Sequence, residues 1–372
     1  MADSDLTTAS GWIERYFNLK TKLEHLFVYV DAVHITAESG RSSPTIIVRA
    51  SSSSILDMID VVPTPELSAV SISQKSTVGF LVGRCLVEIR VPLHELRSVT
   101  RQTSGTLVIH PNVLSRSKET PLSIRCLGSG NIYIHDEEIV AKRLRLHLSA
   151  SGRVQVIAKS ISVVDAVEVQ NRASGQLAIV ATSLFADAVV IDNSASGKAL
   201  IVVKSDLHVD KTVNVTSSGS GSATLAANAF VAGDLSIATH ASGSTHVAGT
   251  TLQLSTVRTL VSGSGNAILS GSGKCETHSI TNTSSGSVLV YGIIANQCTA
   301  ESRGRGQIKV PSLQALQISS VASGLVGPHD NPVGPPLPEY SPQPLPDPSP
   351  ASFFLVGFVG SSSHNLQLDD MF

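Results

Sequence analysis

The sequence predicts an all-β fold, a right-handed parallel β-helix (β-solenoid) of about ten coils of roughly 22 residues, with an N-terminal capping helix. Three observations carry that reading. A small polar residue followed by Gly recurs through the chain, at Gly105, Gly130, Gly152, Gly175, Gly197, Gly221, Gly243, Gly265, Gly286 and Gly306. The residue four places after each of these glycines is aliphatic in every copy, from Ile109 and Ile134 to Val290 and Val310. The composition is 15% charged and 4% aromatic against 42% hydrophobic, which favours short strands of small and β-branched residues joined by tight turns.

Two places after each marker glycine stands a second column, Leu107, Ile132, Val154, Leu177, Ala199, Ala223, Thr245, Ala267, Val288 and Ile308. Residues two apart on a strand share a face, so both columns point inward. A further alternating segment precedes each following glycine, as in AVEVQNRASG and DLSIATHASG, so each coil holds at least two strands. Neither strand buries its apolar face alone. Stacking successive coils as parallel neighbours ~4.8 Å apart gives a continuous aliphatic core and a rod roughly 45 Å long. The glycines fit corners that need either a positive φ or a close approach of backbones. An antiparallel sandwich with similar strand spacing has no reason to keep one aliphatic position in step with a Gly marker.

The organisation along the chain follows. Residues 1–26 form an amphipathic cap, 27–326 the solenoid, 327–350 a proline-rich disordered linker and 351–372 a C-terminal tail. In TASGWIERYFNLKTKLEHL, residues 8–26, Trp12, Tyr16, Leu19 and Leu23 fall on one helical face with Ser10 as N-cap, a helix that would cover the open end of the rod. Its charges are too balanced for a membrane-surface helix. The linker GPHDNPVGPPLPEYSPQPLPDPSP has the composition of an extended, partly polyproline segment. Within it Pro335, Pro336, Leu337, Pro338 and Tyr340 fit the pattern read by WW or SH3-type domains, although a plain linker shares that composition. The apolar FFLVGFVG beyond it fits a strand docked on the solenoid and a sticky contact equally well.

A net charge of −2 offers no basic footprint for nucleic acid, and no apolar run approaches the ~20 residues of a membrane helix. The opening MADSDLTTASGWIERYF has no signal-peptide pattern, from which a cytoplasmic chain is expected unless another export route serves it. Four cysteines are too few for a disulfide framework. Cys275 and Cys298 lie about one repeat apart, however, where stacked thiols could pair in an oxidising compartment.

No catalytic, cofactor-binding or metal-ligating set stands out, and no enzyme is expected. Asp165, Asp187, Asp210 and Asp234 stand near one turn of successive coils, where solvated aspartates are the plain reading and a bridging cation such as calcium the sharper one. His135, Asp136, Glu137 and Glu138, with Lys142, Arg143 and Arg145, read as an exposed loop and strand face within one coil. Cys275 and His278 form a C-x-x-H pair with no fourth ligand in view.

The phrase VEIRVPLHELRSVTRQTSG, ending at Gly105, followed by the SG repeat, resembles the head GIN domain family of auto-transporter adhesins, and LFVYVDAVHITAESGRSSPTIIVRASSSSILDMIDVV resembles that family's opening segment. The resemblance spans about residues 25 to 325. It implies a cell-surface or secreted module that contacts a protein or glycan partner, and it brings no catalytic residues with it. The expectation is a non-enzymatic structural or adhesive interaction module. The alternatives are a polysaccharide-acting enzyme on a parallel β-helix and an intracellular scaffold using the proline-rich tail.

Overall fold

The computed structural model describes residues 3–9, 11–75, 80–311, 316–321, 325–328, 334–348 and 351–356. Its centre is a run of long strands, Asn131–Leu148, Arg153–Asn171, Gln176–Asn193, Lys198–Ser217, Ser222–Thr239, Ser244–Val261, Asn266–Asn282 and Ser287–Ser302, each pairing in parallel with the next. With shorter strands before and after, they make a β-solenoid of about ten turns.

One coil shows how the sequence sets the shape. Along Arg153–Asn171 the buried inward positions are Val154, Val156 and Ala158, then Ile161 and Val163, then Val167, Val169 and Asn171, while Gln155 and Ala166 are buried as well. Two breaks in the alternation, the second marked by a register shift between Val163 and Ala166, turn the chain at two corners. The SG marker turns it at the third, so each coil has three faces. The two columns counted from the marker glycines line the interior of the first face and are at most 2% exposed throughout, from Leu107 and Ile109 to Ile308 and Val310. Even Thr245, the polar member, is fully buried, its hydroxyl donating to Ala238 O at 3.0 Å and bonded to Thr239 Oγ1 at 2.8 Å.

The marker glycines are required by close approach. Positive φ is confined among the described glycines to Gly11, Gly40, Gly271 and Gly292, none of them a marker. Instead, a Cβ on Gly175 would stand 2.0 Å from Gly152 O, and one on Gly197 2.1 Å from Gly175 O. The carbonyls of Gly105, Gly130, Gly152, Gly175, Gly197 and Gly221 each accept the next coil's first strand amide, as Gly175 O does from Lys198 N at 3.0 Å. A second device sits four residues earlier, where a fully buried polar side chain closes the same corner. Asn171, Asn193 and Asn282 donate Nδ2 to the carbonyls of Gly175, Gly197 and Gly286, and Ser217 Oγ to that of Gly221. These bonds satisfy carbonyls that water does not reach.

The N-terminal helix is corrected. Trp12–Asn18 is a strand, antiparallel to both Asp3–Ala9 and Thr45–Ala50, and Thr45–Ala50 pairs in turn with Phe80–Val91. Helix among the described residues is limited to the short turns Ser53–Leu56 and Pro65–Leu67. WIERYF is rich in β-branched and aromatic residues, and a helix would leave the edge of Thr45–Ala50 without partners. Glu14 stands directly opposite Arg49, which bonds both it (2.6 Å) and Glu88 across three strands. The residues chosen for a helical face still serve the core in part, with Leu19 and Leu23 buried. Ser10, the expected N-cap, lies outside the described residues.

Of the linker expected to be disordered, the structure describes residues 334–348. They run without helix or strand along the solenoid, and Ala351–Val356 then pairs antiparallel with Phe80–Cys85 of the entry sheet. The tail therefore travels back from the last coils to the first.

Candidate functional site

Between the two inward columns of the first face, the residue three places after each marker glycine points outward. Such a position is expected to be polar. Here it reads Val108, Tyr133, Gln155, Ala178 and Leu200 in the first five coils, and all are at most 8% exposed. The next outward position contributes Val180, Ala226, Ala248 and Ser270, buried as well. Over much of this face lies the tail. Gly334 packs so closely that a Cβ on it would lie 2.9 Å from Tyr291 Cβ and 3.0 Å from Ser270 Cβ. Pro336 to Pro342 then border Val202, Val203, Ala226 and Ala227.

The polar centre of this face is Gln155, fully buried although it points out of the solenoid. Its Nε2 donates to Gln343 O at 2.7 Å, and its Oε1 accepts from Gln343 N at 2.8 Å and Tyr340 Oη at 3.0 Å. One side-chain amide thus grips both groups of a tail peptide unit, as a neighbouring strand would. Burial raises the Tyr340 phenol above its usual range, keeping it a donor. At the far end His34, 5% exposed, faces His110 with Nδ1 and Nε2 3.4 Å apart. Burial first, then the neighbouring imidazole, lowers His34 to about 4.

The other expected groups are placed less suggestively. Asp165, Asp187 and Asp210 do share a corner, in the register shifts of their strands, while Asp234 lies in the ladder opposite Thr212. Three of them have basic neighbours: Arg143 for Asp165 at 3.8 Å, Lys211 for Asp187 and His208 for Asp210 at 2.9 Å. No group of three or more His, Cys, Asp or Glu placed to hold a metal occurs among the described residues. Of the exposed loop and strand face expected at His135–Glu138, the strand face holds, with Glu137 and Glu138 exposed, and the loop is corrected. These residues lie within Asn131–Leu148, and Asp136 is 1% exposed, bonded to Arg116 Nη2 and Glu137 N at 2.8 Å. Glu137 and Arg145 pair with Lys159 and Glu168 of the next coil.

Cys275 and Cys298 are buried free thiols, and the residue opposite Cys298 in the ladder is His278, not Cys275. Burial pushes both thiols to about 11, with Cys298 adding to the shift at Cys275. Pro335, Pro336, Leu337, Pro338 and Tyr340 lie against the first face, so a WW or SH3-type domain would have to displace them. The signal that sequence reasoning passed over was the apolar outward column itself, legible between the two inward ones.

The fold and this covered face define a three-sided β-solenoid with a proline-rich strap. Residues 213–332 match the family described as "Putative auto-transporter adhesin, head GIN domain", the family that the entry phrase and repeat resemble. Three solved structures are similar: a "putative adhesin" from Parabacteroides distasonis (13% identity, 88% of this chain and 98% of that one covered, TM-score 0.33), a "putative lipid binding protein" from the same species (15%, 86% and 98%, 0.30) and a "putative adhesin" from Parabacteroides merdae (12%, 86% and 97%, 0.30). No curated protein matches. The chain is a β-solenoid, and the part of it that matches this family is residues 213–332.

Proposed function

We propose that the chain is a non-enzymatic structural or adhesive module, presented at a cell surface or secreted, whose third face makes the contact with a protein or glycan partner. The observation that carries this is the in-register polar ladder on that face. Outward positions there align Asn214, Ser236, Arg258, Ser279 and Thr299 on successive strands, at the ~4.8 Å repeat of a parallel sheet. Hydroxyls and amides spaced in this way suit weak, repeated hydrogen bonding to an extended polymer, a use to which solenoid surfaces lend themselves. The match to a family named for adhesins supports the same reading and the surface location. No helix among the described residues is long and apolar enough to cross a membrane.

The test is binding of the full chain to glycan arrays and intact cells, run beside a polysaccharide-hydrolysis screen. Saturable binding without turnover, weakened when Asn214 and Ser236 are replaced by Lys, is the expected result. Measurable cleavage would overturn it in favour of the polysaccharide-acting alternative.

A further inference from the structure

The first face and the strap have the properties of a receptor and its ligand. Prolines fill seven of the fifteen positions from Gly334 to Pro348, so the segment is stiff before it docks and loses little entropy on doing so. Prolines also lack the amide that strand addition needs. The strap therefore binds by side-chain packing, with its hydrogen bonds concentrated at the non-proline Tyr340 and Gln343.

The two repeats are matched. From Gly334, beside Ser270 and Tyr291, to Gln343, beside Gln155, the strap advances nine residues and crosses five or six coils. A polyproline segment rising ~3.1 Å per residue covers ~28 Å in nine residues, and five or six coils at ~4.8 Å span ~24–29 Å. An extended proline-rich chain thus keeps step with the solenoid along its axis.

We propose that the first face, centred on Gln155, is a binding site for an extended proline-rich segment, filled here by the chain's own residues 334–348 and open to the same segment of a second copy. Tethering gives the chain's own strap a high effective concentration. Exchange between copies then requires that strap to be weakened, which is how tail swapping between identical chains arises. The proposal is independent of the adhesive reading, which concerns another face.

Two full-length variants test it by complementation. Tyr340→Ala with Gln343→Pro spoils the strap and leaves the face intact, since the proline removes the amide that Gln155 Oε1 accepts. Gln155→Glu spoils the face and leaves the strap intact, replacing the donor to Gln343 O with a second acceptor. The strap variant is expected to bind a labelled peptide of residues 334–348 saturably. Wild type, and the strap variant also carrying Gln155→Glu, are expected to bind at least tenfold more weakly. Mixed, the two variants are expected to form a heterodimer by sedimentation that neither forms alone.

Hydrogen exchange at the Gln343 amide should rise at least tenfold in Gln155→Glu. Unchanged exchange would show that Gln155 does not hold the strap and would overturn the proposal. So would peptide binding indifferent to Gln155→Glu, or no binding to a released face. A mixture that stays monomeric while the peptide binds would overturn the second copy as occupant.

Discussion

The carbonyl oxygen of Gly243 lies 1.6 Å from the point where a side chain on Gly265 would begin, one coil further on. No rotamer relieves that conflict, because both partners are backbone and the amides around them are committed, Gly265 N to Ala241 O at 2.9 Å and Ser244 N to Gly221 O at 3.0 Å. Gly265→Ala is therefore expected to destabilise the rod by about 3 kcal/mol or more, among the largest effects a single methyl can have. Gly327→Ala, where a Cβ meets nothing within 4 Å, should stay within about 0.5 kcal/mol of wild type. Urea unfolding of the two variants measures the difference.

Thr245 interrupts an otherwise apolar inward column, and its hydroxyl and that of Thr239 satisfy each other in the core. Replacing Thr245 leaves the Thr239 hydroxyl only its longer bond to Asn266 O, 3.4 Å. Thr245→Val should cost about 1–2 kcal/mol, since it leaves Ala238 O and the Thr239 hydroxyl short of a partner, whereas Thr239→Val with Thr245→Val should recover much of that loss. A double-mutant cycle by thermal unfolding reads the coupling. Additive losses would show that the two hydroxyls act independently.

Arg101 is fully buried in the position that Cys126, Leu148, Asn171 and Asn193 occupy in later coils. Its Nη2 donates to Asp31 O at 2.9 Å, but Nε and Nη1 have no partner, and burial lowers it to about 10. A buried charge with unmade bonds costs more than a packed apolar side chain of similar volume. Arg101→Met is expected to leave stability unchanged or raise it, by up to about 2 kcal/mol. A fall of comparable size would instead assign the guanidinium a role in holding the Asp31 corner.

How much of this was legible follows from which signals are periodic. The marker glycine and the inward columns from Leu107 and Ile109 onward repeat coil by coil, and the structure buries every one of them. The polar column Asn171, Asn193, Ser217 and Asn282 was equally visible, four residues before its glycines, but its role depends on a carbonyl that only the closed corner presents. Trp12 to Asn18 misled because seven residues satisfy a helical and a strand pattern about equally well, and the edge of Thr45–Ala50 decided between them. The candidate site was hidden for a different reason. Val108, Tyr133 and Leu200 look like exposed apolar residues until residues far along the chain are laid over them, and no local signal announces a contact such as that of Gln155 with Gln343.

The interior also sets a limit on acid stability. His278 takes the place in its column held by Val257 one coil before, is 3% exposed, and bonds through Nε2 to Thr259 Oγ1 at 3.0 Å. Burial lowers it from 6.5 to about 4. Below pH 6.5 the unfolded chain takes up a proton there that the folded chain refuses. Stability is therefore complete above pH 6.5 and falls as the pH drops toward 4, with a slope approaching about 1.4 kcal/mol per pH unit from this group. His34, also lowered to about 4 by burial, adds a second contribution of the same sign in the same window. His278→Val removes one titrating group and restores the column, at the cost of a partner for Thr259. It is expected to shift stability slightly at pH 7 but to flatten the loss between pH 6.5 and 4. Chemical denaturation at half-unit pH steps gives the two slopes, and equal slopes in wild type and variant would show that the buried imidazole is not what the acid limb titrates.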